Sequence, residues 1–185
     1  TDGEYTYDIT ILMVYGLGYV EGAESNDTIL LKNLISELRE KGLDVPENLT
    51  DESYTWGYYG NTLESINWNS IGTIDEITLP EFKRLSSFML YYGEVDKLDI
   101  SKCNALEYVD VGGSQLKELN ISGLTNLNYF NCSDNNLKEL DLRGLTNLNL
   151  VYCNANSIEK IYIDKGMKEK METFFYDEGV EIVEE

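Results

Sequence analysis

The stretch LNYFNCSDNNL, Leu127 to Leu137, decides the fold, because the chain repeats it in register. LSSFMLYYGEV begins at Leu85, LEYVDVGGSQL at Leu106 and LNLVYCNANSI at Leu148, so the period is 21 residues. Apolar residues recur on that period: Val95, Leu116, Leu137 and Ile158, then Leu98, Leu119, Leu140 and Ile161, then Ile100, Ile121, Leu142 and Ile163. A fixed period of this size marks a solenoid, in which a unit too small to bury its own apolar face stacks on its neighbours. Each unit holds two pieces of alternating polarity, such as Phe130-Asn131-Cys132 and Leu140-Asp141-Leu142. Period-two alternation makes both extended, with the apolar side chains inward.

Working outward, LESINWNSIGTI supplies Leu63, Ile66, Trp68 and Ile74, followed by Ile77 and Leu79. This gives one more unit, with a single inserted residue before Leu85. About five turns are therefore expected over 63–163. The two ends of the stack need covers. Residues 164–185 hold Met167, Met171, Phe174 and Phe175 at roughly helical spacing, then Val180 to Val183, which predicts a helix and a strand. Residues 1–62 are expected to form an α/β cap or small domain. Its parts are a strand over 5–15 and a helix from Thr28 to Lys41, with Asp27 as N-cap and Gly42 as the stop. Gly16-Leu17-Gly18 superficially suggests a dinucleotide loop, but the third glycine and the second βα unit are missing.

Charge and composition exclude several classes of function. The chain carries 34 acidic and 14 basic residues, a net charge of −20, which opposes nucleic acid and anionic lipid. No run of about 18 apolar residues is present to span a bilayer. Histidine is absent, which removes Ser-His-Asp and Cys-His catalysis and the commonest transition-metal ligand. No cofactor and no metal is expected; Ser133-Asp134-Asn135-Asn136 lacks the calcium-loop spacing. Cys132 and Cys153 share the inward column of Leu90 and Val111 and read as small buried residues, although a bridge between them is sterically conceivable. Asn135 and Asn156 stand where a side-chain amide can serve the backbone of adjacent turns; Gly93 and Ser114 fill that column in the other two repeats, so the ladder is expected to be incomplete. Lys and Glu recur at 117/118, 138/139 and 159/160, which predicts exposed pairs, Lys97 with Glu118 and Lys160 with Glu139.

The outward positions of the first strand in each turn carry a different signal. They are nearly uncharged and rich in tyrosine and asparagine, a composition suited to adaptable hydrogen bonding on apolar planes. Tyr91, Tyr108, Asp110, Tyr129, Asn131, Tyr152 and Asn154 are the candidate ligand residues. Ser53-Tyr54-Thr55-Trp56-Gly57-Tyr58-Tyr59-Gly60 either extends that face for stacking on sugar rings or covers the core of the first turn. A carboxylate pair of the glycosidase kind is missing from the face, where Asp110 is the only acid.

The pattern L-x-x-L-x-C-x-x-N-x-L-x-x-L-D-L, matched by Leu127 to Leu142, resembles the 21-residue bacterial class of leucine-rich repeats sometimes called IRREKO-type. The resemblance covers about 63–163. It implies an α/β leucine-rich-repeat solenoid with a parallel concave sheet, and an extracytoplasmic address like that of Bacteroides-type secreted or surface lipoproteins. The chain opens on Thr1, so any leader or lipid anchor is expected on a segment already removed. Asp27-Thr28-Ile29 is similar to the short O-glycosylation acceptor of such bacteria. The resulting expectation is a non-enzymatic binding module whose concave face engages a glycan, a peptide or a protein. A structural or spacer repeat without a small ligand is the alternative.

Overall fold

In the computed structural model, which describes residues 25–57 and 62–185, every unit folds as two extended pieces joined by tight corners. The first pieces are β2 (Leu63–Asn69), β4 (Ser87–Tyr91), β6 (Tyr108–Asp110), β8 (Tyr129–Asn131) and β10 (Leu150–Tyr152). They lie side by side, all parallel, with Ser87 opposite Tyr108, Tyr108 opposite Tyr129 and Tyr129 opposite Leu150. The short strand β1 (Tyr54–Trp56) adds antiparallel at one edge and β12 (Thr173–Phe175) adds parallel at the other, giving seven strands. The second pieces split into two parallel sheets. One contains β3 (Thr73–Thr78), β5 (Glu94–Asp99) and β7 (Glu118–Asn120), and the other β9 (Glu139–Asp141), β11 (Lys160–Ile163) and β13 (Glu181–Glu184). The whole is a β-solenoid of about six turns.

Alternation places the core as expected. Phe88, Val109, Phe130 and Val151, and with them Leu90, Val111, Cys132 and Cys153, are buried between the two layers. Cys103, Cys132 and Cys153 are free thiols. Burial pushes the Cys103 thiol up to about 11 and that of Cys153 to about 12, so both sit as neutral apolar side chains.

The polar column is as important as the apolar ones. Asn135 Oδ1 accepts from the amides of Ser114 and Leu116 at 3.1 and 2.8 Å, and its Nδ2 donates to the carbonyls of Val111 and Cys132 at 2.9 and 3.0 Å. Asn156 repeats this one turn later, and Ser114 Oγ donates to the Leu90 carbonyl at 2.7 Å one turn earlier. In the last turn Asp177 takes the position, accepting from the amides of Ala155 and Asn156. The side chains thus satisfy corner groups that water cannot reach. At the same corners the backbone turns left-handed, at Tyr92 (φ 52°), Gly113 (69°), Asp134 (56°) and Ala155 (54°).

Four expectations are corrected. The helix α1 spans Asn26–Glu40, and its N-cap is Ser25, which accepts from the Thr28 amide; Asp27 lies inside the first turn. Asp27 is drawn inward because Oδ2 accepts from the buried Leu63 amide at 3.0 Å, tying the helix to the first turn. Thr28 is 1% exposed and bonded to Ser25, so the Asp27-Thr28-Ile29 acceptor reading fails for the folded chain. The helix expected over 165–176 is replaced by a short 3-10 turn, Lys168–Lys170, and by β12, so these residues add a turn. Finally, Lys160 opposes Glu139 in register but pairs with Glu181 at 3.4 Å, the carboxylate on its other neighbouring strand. Lys97 does meet Glu118, at 2.8 Å.

The stop at Gly42 (φ 90°) holds: its amide bonds back to Arg39, and that of Leu43 to Leu38. Leu31, Leu34, Ile35 and Leu38 join the same hydrophobic cluster as the turns. The strand expected over 5–15 and the Gly16-Leu17-Gly18 loop lie outside the described residues. No helix among the described residues is long and apolar enough to cross a membrane.

Candidate ligand-binding face

Because side chains alternate along a strand, the seven-stranded sheet sends every second residue away from the core. Three outward columns result. Ser65, Ser87, Tyr108, Tyr129, Leu150 and Thr173 make the first, and Asn67, Met89, Asp110, Asn131, Tyr152 and Phe175 the second. The third, at the strand ends, runs through Asn69, Tyr91, Gly112, Ser133 and Asn154. Asp110 is the only ionisable acid in the three columns, and no lysine or arginine is among them.

Six of the seven candidate residues are half-buried on this face, and Asp110 is buried at 7% exposure. The rings of Tyr108 and Tyr129, directly opposite in register, stack with centroids 4.4 Å apart and planes 7° apart. Tyr152 continues the run diagonally, 5.8 Å from Tyr129 and tilted by 41°. Beside this aromatic run lies a polar knot. Asp110 Oδ1 accepts from Asn131 Nδ2 at 2.9 Å and from the Gly112 amide at 3.2 Å, and Oδ2 accepts from the Tyr91 hydroxyl at 3.3 Å. Asn131 Oδ1 in turn takes the Ser133 amide and hydroxyl. A Cβ on Gly112 would stand 3.2 Å from Asn131 Nδ2, so the missing side chain leaves room for the Asp110–Asn131 pair. Asn154 stays outside the network: among the described residues its side chain makes no hydrogen bond.

The electrostatics follow the packing. Partial burial, with the Asp110 carboxylate next, pushes Tyr129 up to about 12 and also raises Tyr91. Tyr108 is raised by burial and then by its neighbours Tyr91 and Asp110. Desolvation and a nearby negative charge both favour the neutral phenol. The rings are therefore uncharged hydrogen-bonding planes at neutral pH.

In its described part, Ser53 to Gly57, the aromatic segment covers the core and does not extend the face. Tyr54 and Trp56 are buried, with the Tyr54 hydroxyl donating to the Pro46 carbonyl and Trp56 Nε1 to that of Leu49. Trp68 Nε1 donates to the Tyr54 hydroxyl at 3.2 Å, so these rings close the first turn. Tyr58, Tyr59 and Gly60 fall outside the described residues.

Two exposed aromatics were not read from the sequence as part of the face. Phe175, 55% exposed, pairs in register with Tyr152 and extends the second column by one turn. Its alternation within Thr173–Phe175 was the available signal. Tyr92, 71% exposed, stands at a left-handed corner with its ring against Gly113. No group of three or more metal-ligating acids or cysteines occurs among the described residues. Two grooves lie along α1 instead, one of them about 450 Å³ between Leu30, Leu34 and the strand end at Ile77 to Pro80. Compared with protein-family models, with curated protein sequences and with solved structures, the chain gives no match.

Proposed function

We propose that the protein is a non-enzymatic binding module of the leucine-rich-repeat type. Its seven-stranded sheet would engage a glycan, a peptide or a protein outside the cytoplasm. The single observation that carries this reading is the aromatic run Tyr108–Tyr129–Tyr152 beside the Asp110–Asn131 knot, on a face without lysine or arginine in a molecule of net charge −20. The repeat spacing supports the family assignment, and the address rests on the same resemblance.

Size favours a small epitope. Seven strands at about 4.8 Å by three residues at about 3.3 Å give roughly 300 Å², against about 800 Å² per side for a standard protein interface. A protein partner would have to reach beyond the sheet. The test is glycan and peptide array binding with the wild type and with Tyr108, Tyr129 and Tyr152 all changed to alanine. Loss of every hit with little change in melting temperature is the expected result, and hits that survive the triple change would sink the reading. One observation favours a spacer role instead: Tyr108 and Tyr129 already cover one another, as cross-strand pairs do for stability alone. That role predicts arrays without hits and a melting temperature that falls with the triple change.

A further inference from the structure

We propose that Asp110, with the rings of Tyr91, Tyr108 and Tyr129, forms a subsite for one cationic side chain, the guanidinium or ammonium group of a basic peptide. The inference rests on the binding reading above and names its ligand class.

Asp110 is the starting point. A carboxylate buried to 7% exposure ordinarily keeps a cation beside it, because hydrogen bonds alone compensate its desolvation incompletely. Asp110 makes no ion pair among the described residues. Its three hydrogen bonds come from neutral donors, the Asn131 amide, the Gly112 N–H and the Tyr91 hydroxyl. A carboxylate offers about four acceptor sites, so Oδ2 retains room for one more donor. None of the column residues is basic, so a cation that pairs with Asp110 would come from a bound group.

The surroundings suit a cation. Tyr108 and Tyr129 stack beside Asp110 and cover one face of each other, so the aromatic surface offered is the face of Tyr108 turned away from Tyr129, on the side of Ser87; tyrosine faces attract lysine and arginine cations through the ring quadrupole. An arginine fits best, because its flat guanidinium can lie on a ring while an edge N–H reaches Oδ2. The acidic molecule as a whole draws basic ligands toward it. That long-range attraction is unselective, whereas the Asp110 subsite is local, and this difference supplies the control.

The experiment uses the full chain and three blocked glycine-serine peptides that differ at one central residue: arginine, lysine or citrulline. Titrations are followed through the Asn131 side-chain amide and the tyrosine ring resonances by NMR. The arginine peptide is expected to shift these signals and to bind about tenfold more tightly than its neutral citrulline counterpart. Asp110→Asn, which keeps an acceptor for Asn131 and Gly112, should abolish that preference, and Glu139→Gln on the second layer should preserve it. Equal binding of arginine and citrulline peptides overturns the subsite while leaving a neutral ligand, and so the binding reading, intact. Equal losses from Asp110→Asn and Glu139→Gln overturn it too, since bulk charge would then account for the attraction. Shifts confined to residues off the sheet, or no shifts at all, overturn it as well. If Asp110→Asn folds poorly, the wild-type shifts decide: the subsite predicts arginine-specific shifts centred on Asn131 and the tyrosine rings, and shifts spread evenly over the acidic surface overturn it.

Discussion

Asn135 shows how much a single side chain can carry in a solenoid. Its amide bonds backbone groups of two successive turns, among them the four buried ones of Ser114, Leu116, Val111 and Cys132, and at 6% exposure water cannot take its place. Each buried donor or acceptor left alone costs about 1–3 kcal/mol, and the four losses share a relaxation, so Asn135→Ala should destabilise by roughly 3 kcal/mol. Asn135→Ser should cost less, because Ser114 shows that a hydroxyl at this position can reach a carbonyl of the preceding turn. Asn156→Ala should also cost less, since Asn156 is only half-buried and solvent can replace part of its work. Urea unfolding of the three variants gives the order, and an Asn135→Ala loss below about 0.5 kcal/mol would mean that the column does not hold the turns.

At the level of elements, α1 is joined to the solenoid by a contact that sequence patterns do not display. Ser25, Asn26 and Asp27 are all good N-cap residues, so local preference leaves the helix start ambiguous. The ambiguity is resolved from a distance: the Leu63 amide begins β2 in a buried place, and Asp27 is the residue that accepts from it. Asp27→Ala should therefore destabilise by about 2 kcal/mol, and Ser25→Ala by about 1, as for an ordinary cap. Thermal melts read both, and equal losses would show that the tie to Leu63 carries no weight. The C-terminal turn was hidden for a related reason. Ile161 and Ile182 keep the 21-residue step, but Val151 and Phe174 are 23 apart. The two extra residues are taken up around the 3-10 turn, and they put Met167, Met171 and Phe174 into a spacing that imitates a helix. The strict repeats, by contrast, were legible throughout, because alternation and period agree there. The tyrosine columns were legible with them, but not the Asp110–Asn131 bond, which needs side-chain rotamers that no pattern specifies.

For the whole molecule, charge and tyrosine act together at high pH. Folding raises four phenols above the ordinary value of 10.0: Tyr54 and Tyr129 to about 12, and Tyr91 and Tyr108 in the same direction. Burial is the first cause in each, and it favours the neutral form. In the unfolded chain the same groups ionise near 10, so between pH 10 and about 12 the native state holds more protons than the unfolded state. Linkage then makes stability fall with rising pH: the contribution is complete below 10 and is lost as pH climbs through the raised values. Each tyrosinate also adds to a net charge that is already −20, and self-repulsion pushes the same way. The expected outcome is a cooperative loss of circular dichroism above pH 10 that coincides with a late step in tyrosinate absorbance. Salt should separate the two contributions. Raising NaCl from about 0.05 to 0.5 M shortens the screening length and weakens repulsion between exposed charges, but it leaves the burial of Tyr54 untouched. The midpoint should therefore move to higher pH in salt while the late tyrosinate step stays tied to unfolding. If all tyrosines ionised in one step near pH 10 with the fold intact, neither the buried Tyr54 nor the packed ladder would be restraining its protons.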